Sequence, residues 1–161
     1  MRRLSVLLIV LGLCLLPAVS AQGRARTNKL TESLTLSSIA PGGAPTLQAG
    51  SANGSLNGAA LVKATPVSGT GEVGTKTRFT FTLFTTKGSI SGSGDLTITA
   101  TDPGPDPANP SSGSQNVAGS GKIASGTGAY KGAKGSFTYT GTSPNGQTYL
   151  LIQLKGSYRT G

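Results

Sequence analysis

The feature that most limits what this chain can become is a two-residue alternation of apolar and hydroxylated side chains. Phe79, Phe81 and Leu83 are interleaved with Thr80 and Thr82, and Leu96, Ile98 and Ala100 with Thr97, Thr99 and Thr101. Successive side chains of a strand point to opposite faces, so each run has one face to bury and one to leave in water. The two runs are expected to pair antiparallel. Thr86-Lys87-Gly88-Ser89 is the turn between them, and Gly88 can take the positive φ of a tight hairpin. Gly92 and Gly94 are expected to bend the second strand or admit a bulge. A later pair runs over 135–142, with Phe137 and Tyr139 on one face, and over 147–159, with Leu150, Ile152, Leu154 and Tyr158 on one face. Pro144-Asn145-Gly146 is the turn between those two. Shorter or weaker strand candidates lie at 32–39, 56–65 and 115–124.

No eleven-residue window carries a helical stripe, and 25 Gly with 21 Thr oppose helix throughout. The chain is expected to be all-β. Its eight aromatic residues, from Phe79 to Tyr158, all follow residue 78, which places the expected core in the C-terminal half. Two segments read as loops: Pro41-Gly42-Gly43-Ala44-Pro45 and the proline-rich stretch 102–114. The second holds Asp102 and Asp106, but a calcium site collects six to eight oxygens, so no metal is expected there.

Residues 1–21 read as a secretory signal peptide. Arg2 and Arg3 precede an apolar run from Leu4 to Leu16, and Val19-Ser20-Ala21 fits cleavage after Ala21 by the general secretory route. The run is short of the roughly 20 apolar residues a spanning helix needs. Residues 22–161 then form a single secreted domain. Its twelve basic and five acidic side chains favour anionic surroundings such as a cell-surface polymer. Those bases are scattered, with only Arg24, Arg26 and Lys29 clustered, and are not interleaved with stacking aromatics, so nucleic acid is not an expected partner.

Missing residue types exclude whole mechanisms. The chain has no His, and its one cysteine, Cys14, falls in the signal segment. Imidazole and thiolate catalysis and the usual zinc ligands are therefore not available to the mature chain. No acid/base constellation is recognisable, no cofactor is expected, and the inventory leans away from an enzyme. The glycine-rich stretch Ser125-Gly126-Thr127-Gly128-Ala129-Tyr130-Lys131-Gly132-Ala133-Lys134-Gly135 lacks the spacing and the βαβ context of a phosphate cradle. It is read as structural: a strand ending near Gly126, a helical turn over 127–131 that tucks Tyr130 inward, and a strand from Gly135. Gly126, Gly128 and Gly135 are expected to hold that turn through positive φ, with Gly132 between them.

With its neighbours, this stretch resembles the barrel of allene oxide cyclases and dirigent proteins. The likeness rests on Thr86-Lys87-Gly88-Ser89-Ile90, on 126–135, and on Ile152-Gln153-Leu154-Lys155-Gly156. It implies an antiparallel eight-stranded, calycin-like barrel with an apolar cavity, often assembled as a homotrimer. Allene oxide cyclases carry a Glu and an Asn on their first strand. Here that strand offers Ser33, Thr35, Ser37 and Ser38, with Glu32 only at its edge, and the acids near the walls are Asp95 and Glu72. The fold is carried over without catalytic residues.

Three functions follow from this reading. The first is a non-enzymatic barrel binding a small hydrophobic ligand, lined by Phe79, Phe81, Leu83, Leu96, Ile98, Phe137, Tyr139, Leu150 and Ile152, or one whose interior those residues simply fill. The second is a cyclase- or dirigent-like isomerase working in the cavity. The third is an extracellular surface protein that meets polysaccharide through outer threonine rows, Thr97/Thr99/Thr101 and Thr138/Thr140/Thr142.

Overall fold

A computed structural model describes residues 26–39, 46–69, 71–104, 113–144 and 149–161. Residues 1–21, the loop at 41–45, most of the proline-rich stretch with Asp106, and Asn145-Gly146 of the last turn lie outside them. The strands are β1 (Arg26–Ser38), β2 (Thr46–Gly54), β3 (Gly58–Ser68), β4 (Lys76–Thr85), β5 (Gly88–Asp102), β6 (Ser114–Gly126), β7 (Lys134–Ser143) and β8 (Tyr149–Thr160). One 3-10 turn, Gly128–Tyr130, precedes β7.

The strands form a closed antiparallel barrel in sequence order. The seam is the β1–β8 ladder, from Arg26↔Thr160 to Ser37↔Tyr149. Because the chain runs up and down, its connections fall at two ends. The short turns at 55–57 and 86–87 and the 127–133 segment gather at one end with both strand termini, the tight end. The strand ends that lead into the β1–β2, β3–β4, β5–β6 and β7–β8 connections lie at the other, the loop end.

Alternation fills the interior as expected. Leu30, Leu34, Leu36, Phe81, Leu83, Phe137, Tyr139, Ile152, Leu154 and Tyr158 are buried, while Thr31, Ser33, Thr35, Thr80, Thr138 and Lys155 are exposed. Phe79 and Phe81 come from β4, and Phe137 and Tyr139 from β7. Between these strands lie β5 and β6, whose inward positions include Gly92, Gly94, Gly119 and Gly121. The register pairs Phe79 with Gly94, Phe81 with Gly92, Tyr139 with Gly119 and Phe137 with Gly121. A Cβ on Gly121 would stand 2.2 Å from Cζ of Phe137, and one on Gly94 2.6 Å from Cζ of Phe79. The four rings thus lie over a glycine floor. They meet there in edge contacts, Phe81 with Phe137 at 5.3 Å and Phe79 with Tyr139 at 5.7 Å between centroids. Gly92 does adjoin a register shift after Ser91, but its larger task is to leave room for a ring.

Several expectations change. The core is not confined to the C-terminal half: Leu30, Leu34, Leu36, Ala52, Leu56, Ala60 and Val62 belong to it. Leucines of β1 fill the side of the barrel where no aromatic is available. The candidates at 32–39, 56–65 and 115–124 are strands as long as the others, with 13, 11 and 13 residues in β1, β3 and β6. β2 has no counterpart in the sequence reading. Its residues Gln48, Gly50 and Ala52 are small or polar because they pair with Ser38, Leu36 and Leu34 of β1, whose leucines occupy the space. Ala100 is exposed, because the β5–β6 register shifts between Ile98 and Ala100 and ends the alternation.

Candidate functional site

The main interior space lies toward the loop end. It is an almost wholly apolar pocket of about 50 Å³. Leu36, Gln48, Ala64, Thr77, Leu96 and Leu150 surround its upper part, and Leu83, Phe137 and Leu154 its floor. Of the nine residues expected to line a cavity, Phe79, Phe81, Leu83, Leu96, Phe137, Tyr139, Leu150 and Ile152 meet around this one space. Ile98 does not. It is buried beyond the pocket, where its N–H donates to the Thr75 carbonyl and its carbonyl accepts from Gly74, so the β3–β4 connection covers it. The four rings over the glycine floor occupy most of the volume that an open barrel would have offered. Phe79, Leu96 and Leu150 remain only half-buried.

Tyr139 is one of three lining residues, with Gln48 and Thr77, whose side chains carry a polar group. Its hydroxyl reaches over Gly119 and donates to the Asp95 carbonyl at 3.0 Å. Burial, with a smaller contribution from the Asp95 charge, pushes the phenol well above its ordinary pKa, so it acts as a neutral donor. Asp95 itself points outward to Arg78 at 3.3 Å, both side chains being mostly exposed.

The second interior feature is a carboxyl group at the tight end. Glu32 is not at the edge of the first strand but within it, 1% exposed. Its Oε1 accepts from the Ser55 hydroxyl at 2.6 Å and from the Leu56 N–H at 2.5 Å, which clamps the β2–β3 turn across the barrel end. Oε2 is buried without a hydrogen-bond partner. Burial raises the Glu32 pKa, outweighing the hydrogen bonds that oppose it. It also raises that of Tyr158, with smaller contributions from Tyr130 and Glu32. The sequence does carry a signal for Glu32: Leu30, Glu32, Leu34 and Leu36 share one parity, and three leucines mark that parity as inward. Glu32 does not line the apolar pocket but lies below it.

The glycine-rich motif forms the expected turn. Its amide donors serve the neighbouring hairpin: Thr127 N–H donates to Ser89 O and Ala129 N–H to Lys87 O, at 2.9 and 2.8 Å. Thr127 Oγ1 accepts from the Ser89 N–H at 3.0 Å. Tyr130 is half-buried and meets Tyr158 edge-on at 6.2 Å. Gly128 and Gly132 have positive φ, of 57° and 75°. Gly126 and Gly135 do not, contrary to expectation. They are glycine because backbone approaches them: a Cβ would stand 2.2 Å from Tyr130 O and from Ser157 O respectively. Among the described residues no group of three acidic, His or Cys side chains is arranged to hold a metal.

No protein-family model, curated protein or solved structure matches this chain. The barrel and its interior are therefore what defines its class: a closed, up-and-down, eight-stranded antiparallel barrel with a ring-filled core.

Proposed function

We propose that the protein is an exported, non-enzymatic barrel that takes the end of a slender apolar molecule at its loop end. One observation carries this reading. Large apolar side chains at inward positions, Phe79, Leu96 and Leu150, stay half-buried around an apolar space, whereas their counterparts at the tight end are sealed. Covering them is favourable at about 25 cal/mol per Å². At about 50 Å³ the space is far below the roughly 300–1,000 Å³ of pockets that enclose a drug-sized ligand. The fitting ligand is thus an alkyl end with its polar head in water, not a fused ring system. Native mass spectrometry of mildly extracted protein, followed by titration with 1-octanol, tests this. One alkyl-chain adduct per chain is expected, lost in Leu96→Trp, which fills the space. Absence of any adduct, with no octanol saturation up to its solubility limit, assigns the interior to packing alone. N-terminal sequencing of protein from culture medium tests export: Gln22 is the expected first residue.

A cyclase-like isomerase remains a second reading, favoured by an inward carboxyl on the first strand, Glu32. Against it, Glu32 lies beneath the pocket with one oxygen committed to Ser55 and Leu56. Turnover of an unsaturated epoxide that Glu32→Gln abolishes, without loss of folding, would favour this reading over the first.

A further inference from the structure

The outer wall carries a second concavity, independent of the interior pocket. It spans about 600 Å³ across the middle of β4 to β8. Short hydroxylated side chains, Ser93, Ser120 and Ser136, form its floor, and three long cations, Arg78, Lys122 and Lys155, stand around it with one carboxylate, Asp95. Arg78 is engaged by Asp95 at 3.3 Å in an exposed pair, which water and salt weaken. Lys122 and Lys155 are exposed, and their side chains make no hydrogen bond or ion pair among the described residues. The register pairs Lys122 with Ser136 and Lys155 with Thr138 on either side of β7. The two lysines are therefore two strand spacings and two residues apart, roughly 12 Å between Cα atoms.

We propose that this groove binds a linear polysaccharide of carboxylated sugars. Sugar hydroxyls would meet the serine floor, and uronate carboxylates on successive repeats would meet Lys122 and Lys155 as charge-assisted hydrogen bonds. From residue 22 onward the chain carries twelve basic and five acidic side chains, a net charge of +7 that draws such a polymer in. A nucleic-acid strand fits less well. The aromatic ring bordering the groove, Phe137, is buried on the inner side of the wall, so among the groove's lining residues no ring faces outward for bases to stack upon.

Isothermal titration of the protein with oligogalacturonate, neutral dextran, polyphosphate and a single-stranded oligonucleotide tests the proposal. Oligogalacturonate is expected to bind and dextran not to. Replacing both lysines, Lys122→Gln with Lys155→Gln, should weaken oligogalacturonate binding about tenfold or more. Lys76→Gln with Lys131→Gln removes the same charge outside the groove and should change it less than about twofold. Ser120→Tyr blocks the floor at constant charge and should also weaken binding. Thermal melts check that each variant is folded. Equal losses from the two lysine pairs would reduce the effect to net charge and overturn the site. Polyphosphate or oligonucleotide binding as tightly, with the same response to Lys122 and Lys155, would overturn the ligand class.

Discussion

A single carboxyl group buried among leucines makes this barrel's stability depend on pH. Burial raises the Glu32 pKa above 4.5 in the folded state. The folded chain therefore holds a proton that the unfolded chain releases, and stability falls as pH rises from about 4.5 through the raised value. The chain has no histidine to mask this. The thermal midpoint is expected to decline as pH rises from about 4.5, and Glu32→Gln, which keeps an acceptor for Ser55 and Leu56, should flatten the decline. Parallel melts of both proteins across that range check it; identical slopes would mean the carboxyl reaches water. At this scale the sequence was legible in parity and not in neighbours. The period of two marks Glu32 as inward once Leu30, Leu34 and Leu36 are read together. That its partners come from the turn at Ser55 and Leu56 depends on β2, which the sequence does not announce. Likewise, Gly128 could be read as a positive-φ glycine, but Gly126 and Gly135 owe their identity to carbonyls of residues distant in sequence or brought back by the turn.

Between residue and barrel, what organises the elements is complementarity of size across neighbouring strands. Strands that carry their own large side chains, β4, β7 and β8, declare themselves by alternation. Strands that make room for a neighbour read weakly or not at all: β6, beneath the β7 rings, shows only as a weaker candidate, and β2, opposite the β1 leucines, does not show. The nine-residue lining was legible because eight of its members sit on large-residue positions facing one space; Ile98 departs because a register shift and the β3–β4 connection intervene. The same principle sets the cost of removing a ring. Phe81 is 9% exposed and packs edge-on against Phe137 above Gly92, which has no side chain to fill a void. Phe81→Ala should therefore cost about 3–5 kcal/mol in chemical denaturation. Its neighbour Thr82 faces the other way and shares a hydroxyl hydrogen bond with Ser91 at 2.9 Å. Thr82→Ala should cost less than about 1 kcal/mol. Comparable losses from the two changes would mean that the inner and outer faces of β4 are wrongly assigned.

Closure of the whole molecule rests on one seam. Every other strand pairs with its sequence neighbour, whereas β1 meets β8 across the full length of the domain, from Arg26↔Thr160 to Ser37↔Tyr149. Closing that long loop costs chain entropy that local hairpins do not, yet leaving it open would expose two sheet edges. The pairing of Arg26 with Thr160 also puts the two ends of the barrel chain side by side. A permuted chain that joins residue 161 to residue 26 through a short Gly-Ser linker, and begins and ends within the β5–β6 connection, keeps all eight strand pairs. It turns the seam into a local hairpin and makes the β5–β6 ladder the long-range one. Since native contacts are preserved, the permutant is expected to unfold within about 1–2 kcal/mol of the parent, the difference being loop-closure terms of that order. Equilibrium denaturation with far-ultraviolet circular dichroism measures this. If the permutant is soluble but lacks the cooperative β transition, the β1–β8 ladder is not the closing contact of the barrel, and the up-and-down topology built on it fails with it.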